Sequence, residues 1–119
     1  MATTHTVLVV EDDDESRQLL TEILELEGFK VAAASNGAEA WDYLRQADKP
    51  CMIVLDIFMP VMDGRKFRTL QLQDKKLAEI PTIVVSALDP SAINDLAALK
   101  VFRKPVDINV LLDVVKHNC

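Results

Sequence analysis

The chain is short of cysteine, carries no excess of basic residues and contains no apolar run approaching membrane-spanning length. Its two cysteines are Cys51, heading an apolar run, and Cys119, the last residue; they fit neither a disulfide framework nor metal-ligand spacing. They read as a core residue and a tail residue. With 13 Lys+Arg against 19 Asp+Glu, a net charge of -6 and a pI near 4.8, the basic face that nucleic-acid phosphates require is missing. Direct DNA or RNA binding is therefore discounted. The start, Met1-Ala2-Thr3-Thr4-His5-Thr6, has no basic stretch leading into an apolar one, so neither a targeting segment nor membrane insertion is expected and a cytoplasmic protein is. No internal repeat or low-complexity segment interrupts the sequence, and 119 residues, 50% of them hydrophobic, predict one compact domain over 1–119.

What the sequence does contain is a series of short apolar runs rich in β-formers, separated by segments of helical period. Strands are predicted at Thr6 to Val10, Phe29 to Ala33, Cys51 to Leu55, Thr82 to Val85 and Val101 to Arg103. Between the first two, Leu19, Leu20, Ile23 and Leu24 form an apolar stripe that Gly28 stops at the C' position. Ser35 or Asn36 caps a second helix carrying Ala40, Trp41 and Leu44 inward. The turn holding Pro60 and Gly64 leads to a helix through Phe67 and Leu70. Asp89-Pro90 opens a short helix reaching about Leu99, and the last helix turns Ile108, Leu111, Leu112 and Val115 inward. Strands alternating with helices require right-handed crossovers and a parallel sheet covered on both sides, with strand order 2-1-3-4-5. In that order the switch point lies between strands one and three.

Residues just past the strand ends share one edge of such a sheet. Glu11 and Asp12, Asp56, Ser86 and Lys104 are therefore expected to converge. Neighbouring carboxylates repel by roughly 4 kcal/mol at about 4 Å when the effective dielectric is near 20. A hard divalent cation relieves that repulsion, and a largely oxygen-lined site with few protein ligands suits Mg²⁺. One carboxylate can then act as a nucleophile toward a phosphoryl donor, with Lys104 neutralising the transferring oxygens and the Ser86 hydroxyl donating to one of them. Pro105 suggests a fixed turn behind the ammonium.

Val-Val-Glu11-Asp12, Asp56-Ile-Phe-Met-Pro-Val-Met-Asp-Gly64, Val-Ser86-Ala87 and Lys104-Pro105, in that order and over essentially the whole chain, resemble the receiver domain of two-component response regulators, in the single-domain, chemotaxis-regulator-like form. The resemblance implies a flavodoxin-like (βα)5 fold, a doubly wound five-stranded parallel sheet in a three-layer sandwich. It implies Asp56 as acceptor of phosphate from a histidine kinase or histidine phosphotransfer protein. It also implies Mg²⁺ held by Asp12, Asp56 and the Phe58 backbone carbonyl, with Glu11 acting through water, and phosphoryl sensing by Ser86 and Lys104. The protein would not be a metabolic enzyme but a switch that catalyses only its own phosphorylation and dephosphorylation and acts through a downstream protein. Phe58, bulky and apolar two residues beyond Asp56, predicts slow hydrolysis.

The resemblance breaks at two points. Receivers commonly carry an aromatic three residues before the lysine, where this chain has Val101; Phe102 is one residue later, and period-two alternation points it to the opposite face. The interval from Ser86 to Lys104 is about one helical turn shorter than is usual in the family, with Ala97-Ala98 in place of the common Gly-Ala. A constitutive protein-interaction module on a receiver fold is the alternative those features support. Enzymes on related folds fit poorly: Asp12-Asp13-Asp14 would repel a flavin phosphate, a dehalogenase-type phosphatase wants a second acid where Phe58 stands, and no P-loop is present. Asp13, Asp14 and Glu15 read as helix-start carboxylates, Asp63 as a turn residue, and Trp41, Met59, Met62 and Phe67 as packing. His5 and His117 read as solvated, and Arg65, Lys66, Arg68, Lys75 and Lys76 as a solvated cationic surface.

Overall fold

A computed structural model describes residues 6–46, 49–56, 64–86 and 98–119. Five parallel strands, β1 (Thr6–Val10), β2 (Lys30–Ala34), β3 (Met52–Asp56), β4 (Thr82–Ser86) and β5 (Lys100–Arg103), form one sheet in the order β2-β1-β3-β4-β5. The helices are α1 (Asp14–Leu26), α2 (Gly37–Gln46), α3 (Gly64–Gln73), the single turn α4 (Lys75–Ala78) and α5 (Ile108–Asn118). The strand order is the predicted one, and β2 and β3 are each set one residue later than their apolar runs suggested. The helix expected from Asp89-Pro90 to about Leu99 falls mostly outside the described residues; Leu99 itself is not helical and lies half in solvent.

Strand alternation divides the core into two layers. Val7, Val9, Met52, Val54, Ile83, Val85 and Phe102 face α1 and α5, where Leu24, Leu111, Leu112 and Val115 meet them. Leu8, Val10, Ala34, Ile53 and Leu55 face the other way, onto Ala40, Leu44, Phe67, Leu77 and Ile80. β1, β3 and β4 are near-continuously apolar because both of their faces are covered. Phe102 and Val101 part company as alternation requires: Phe102 joins the α1/α5 layer, while Val101 packs with Val84 and Ala98.

The helix ends follow local chemistry. Asp13 accepts from the Ser16 N–H at the start of α1, which holds its carboxyl below the usual range, and Asp14 and Glu15 fill the first turn. Gly28 ends the helix at φ 94°, a left-handed conformation that favours glycine. Asn36 is the cap of the two predicted candidates, its Oδ1 accepting from the Glu39 N–H at 2.9 Å, while the Glu39 carboxylate accepts from the main-chain N–H of Ser35 at 2.9 Å. Asp107 caps α5 through the Asn109 and Val110 amides.

Three expectations are corrected. Leu19, placed in the inward stripe of α1, is 53% exposed, because the sheet covers only the arc centred on Leu20, Ile23 and Leu24. Arg68, placed on a solvated cationic surface, is buried: its Nη1 donates to Gln71 Oε1 at 2.8 Å and Thr82 Oγ1 at 3.0 Å, tying α3 to the head of β4. Burial lowers its pKa, and the hydrogen bonds are what make the buried site tolerable. Cys51 and Cys119, read as separate core and tail residues, are joined by a disulfide with Cα atoms 5.2 Å apart.

Candidate functional site

The carboxyl ends of the strands are held level by main-chain bonds that extend the ladders. Glu11 N–H donates to Ala34 O at 3.0 Å, and Lys104 N–H donates to Ser86 O at 2.8 Å. Asp56 lies opposite Val85 in the β3–β4 register. Sequence-distant residues thus arrive at one rim for topological reasons, at the switch point between β1 and β3.

Among the described residues, Glu11, Asp12 and Asp56 form a group whose carboxylate oxygens lie within 4.8 Å of one another. Glu11 and Asp56 are each 4% exposed, whereas Asp12 is open to solvent. Lys104 bridges the two buried acids, its Nζ 3.4 Å from Glu11 Oε1 and 3.3 Å from Asp56 Oδ2. The Lys104–Pro105 peptide is cis. Ser86, fully buried, closes the end of β4. His5, Phe58, Met59, Met62 and Asp63 lie outside the described residues.

The electrostatics are those of one cation shared between crowded acids. Burial, then the hydrogen bond and the charge repulsion of Asp56, push the Glu11 carboxyl up from an ordinary 4.5 to about 7, with Lys104 pulling the other way. For Lys104, burial disfavours the ammonium, but attraction to Asp56 and Glu11 outweighs it and the pKa is raised. All three acids offer oxygen alone, a donor set that fits a hard divalent cation such as Mg²⁺. A cavity of about 560 Å³ walled by Leu19, Leu20, Val106 and Ile108 reaches Glu11, Asp56 and Lys104, so among the described residues the Asp56 carboxylate has an approach from the α1 side.

Arg17 is the member that sequence reasoning missed. Its Nη1 donates to Glu11 O at 2.9 Å and its Nη2 pairs with Asp14, so α1 anchors the loop that carries Glu11 and Asp12. A signal existed: a cation in the first turns of a helix opposes the macrodipole and asks for a reason.

The fold and this rim define a receiver, and the comparisons agree. The family model of the response regulator receiver domain matches residues 7–116, and the chain belongs to that family. It is thus a receiver domain of two-component response regulators, a signalling class rather than a metabolic one. It is 32% identical over 112 residues to the sporulation initiation phosphotransferase F of Bacillus subtilis, covering 92% of this chain and 90% of that one. A response regulator receiver protein from Pseudomonas putida superposes with a TM-score of 0.90 at 26% identity, covering 98% of this chain and 99% of that one. The response regulator protein TrrA of Thermotoga maritima, in complex with Mg²⁺-BeF, gives 0.85 at 28% identity over 98% of this chain and 100% of that one. Two longer relatives are matched over 38% and 34% of their length, so what accompanies a receiver differs among relatives. No described helix is long and apolar enough to cross a membrane.

Proposed function

We propose that this chain is a phosphorylation-controlled signalling switch, which accepts a phosphoryl group on Asp56 from a histidine kinase or histidine phosphotransfer protein and signals through a partner protein. The observation that carries the reading is Lys104 Nζ at 3.3 Å from Asp56 Oδ2, on a rim shared with Glu11 and Asp12. An Asp56 oxygen attacks the phosphorus of a phosphoimidazole, the P–N bond breaks with its electron pair returning to the ring nitrogen, and an acyl phosphate remains. The Lys104 ammonium neutralises charge on the transferring oxygens, and the Ser86 hydroxyl donates to one of them. Glu11, Asp12, Asp56 and the Phe58 carbonyl would hold Mg²⁺, Glu11 through water; when bound, the ion offsets carboxylate and phosphoryl charge. The acidic donor set supports this assignment, as does the Mg²⁺-BeF complex of TrrA. Water attack on phosphorus returns the free carboxylate, slowly because Phe58 is apolar. Supply of phosphate by a kinase puts the domain in the cytoplasm.

The test is intact mass after incubation with a small phosphodonor and Mg²⁺, beside Asp56→Asn. A Mg²⁺-dependent adduct of one phosphate, absent from the variant, is expected; no adduct in either protein sinks the reading. A constitutive interaction module is the second reading, favoured by Val101, which packs on Val84 and Ala98 and has no ring to reorient. Surface dynamics that stay unchanged when beryllofluoride and Mg²⁺ are added would select it.

A further inference from the structure

The disulfide lies at the far end of β3 from the rim. Cys51 precedes Met52 and Asp56 ends the strand, and five residues of strand span about 16 Å. Cys51 is fixed there, its N–H donating to Thr6 O at 2.8 Å. Cys119 follows α5, whose buried anchors are Leu111, Leu112 and Val115; Lys116, His117 and Asn118 beyond them are exposed. The other side-chain tie from that last turn to another element, among those described, is the ion pair of Lys116 with Glu27 at 2.9 Å, which is half in solvent and contributes little in water. The cysteines are separated by 68 residues, yet their Cα atoms stand 5.2 Å apart, within the span a disulfide needs. Both residues are half-buried, packed against the α1/α5 core without being sealed in it.

We propose that Cys51 and Cys119 are a reversible redox latch, whose oxidation clamps the last turn of α5 to the head of β3 and whose reduction lets that turn fray. The latch rests on the cytoplasmic placement proposed above: in such a reducing compartment disulfides are usually transient or redox-sensing, so a pair that also lacks a role at the phosphoryl rim suits a sensor of thiol poise. The chemistry balances with a small-molecule disulfide as oxidant. The Cys119 thiolate attacks one sulfur of the oxidant, whose S–S bond breaks and releases a thiolate that takes up a proton. The Cys51 thiolate then attacks Cys119 in the mixed disulfide, the protein S–S bond forms and a second thiol leaves. Two electrons pass from the protein to the oxidant, which is reduced to two thiols.

The experiment needs no phosphodonor, so it stands apart from the phosphorylation reading. The protein is equilibrated in glutathione buffers of graded oxidised-to-reduced ratio, quenched with acid and followed by intact mass, peptide mapping and amide hydrogen exchange. Expected is a monomer that loses two hydrogens and yields one linked peptide pair. Amides from Lys116 to Asn118 should exchange at least about tenfold more slowly in the oxidised protein. Cys51→Ser and Cys119→Ser should exchange like reduced wild type in both buffers. A persistent glutathione adduct, a disulfide-linked dimer, no oxidation, or equal exchange in the two redox states would each overturn the latch. Reduced wild type serves as the reference if either variant fails to fold.

Discussion

Replacing Glu11 by glutamine separates the electrostatic load of the rim from its shape. In the unfolded chain Glu11 gives up its proton near 4.5, and in the folded protein near about 7. Between those values the folded state holds more protons than the unfolded one. Stability of the wild type therefore falls as pH rises through that interval and levels off above it. At roughly 1.4 kcal/mol per pH unit, the interval from 4.5 to about 7 is worth at most about 3.5 kcal/mol. Glutamine matches the protonated acid in shape and stays neutral, so Glu11→Gln should be as stable as wild type near pH 4.5 and more stable by about 2 to 3 kcal/mol at pH 8 without Mg²⁺. Urea unfolding followed by far-ultraviolet circular dichroism, in chelator and with the disulfide kept oxidised, reads this difference. With slopes of about 1 to 3 kcal/mol per molar urea, the variant's midpoint should lie roughly 1 to 3 M higher at pH 8. Taking the difference between the two proteins cancels other titrating groups. A gap that stays constant from pH 5 to pH 8, or a wild type that gains on the variant as pH rises, would refute the reasoning.

Cation binding should draw on the same proton. At pH 7 Mg²⁺ should displace about half a proton per site from wild type and none from Glu11→Gln, measured by titration calorimetry in two buffers of different ionisation enthalpy; equal proton counts would remove Glu11 from the ion's surroundings. Phe58→Asn should shorten the lifetime of the Asp56 phosphate, followed by loss of the phosphate adduct in intact mass, and an unchanged half-life would sink the role given to Phe58. Asp107→Ala should lower stability by about 1 kcal/mol, because the carboxylate caps the Asn109 and Val110 amides; a urea midpoint equal to wild type would show that the cap is dispensable.

The rim was legible because its residues follow strands that are themselves legible. Val7 to Val10, Met52 to Leu55 and Ile83 to Val85 are apolar on both faces, a pattern that only a covered parallel sheet explains, and the edge position of Glu11, Asp56 and Lys104 follows. What could not be read depends on contacts between elements. Arg68 looked like one more surface cation until Gln71 and Thr82 were seen to receive it, and nothing within α3 foretells that the head of β4 would supply a hydroxyl at 3.0 Å. The cysteine pair failed for a related reason. A spacing of 68 residues carries no distance information, and the 5.2 Å separation arises because β3 begins at the edge where α5 ends. Leu19 shows the limit of periodicity: it shares the helical repeat of its neighbours but lies at the margin of the arc that the sheet covers.

Val101 and Phe102 show where correct local reading constrains function most. Alternation placed Phe102 among Val85, Leu111 and Val115, so its ring is committed to the α1/α5 core and is not available on the Val101 face. Val101 itself meets Val84 and Ala98, a small cluster with no large side chain to swing among the described residues. On the proposed reading, moving a population from about 1:99 to 99:1 needs roughly 5.5 kcal/mol of preference for one conformer. That preference must then come from somewhere other than an aromatic rotation on β5. The structure offers Lys104. Its ammonium is divided between Glu11 and Asp56, and its main-chain N–H is bonded to Ser86 O, so one residue joins the charge of the rim to the β4–β5 ladder. A phosphoryl group on Asp56 would draw the ammonium away from Glu11, and any strain in that shift falls on the ladder and on Pro105, at the entry to α5. The response would accordingly be carried by backbone position in β5 and α5, the same helix whose far end the disulfide holds.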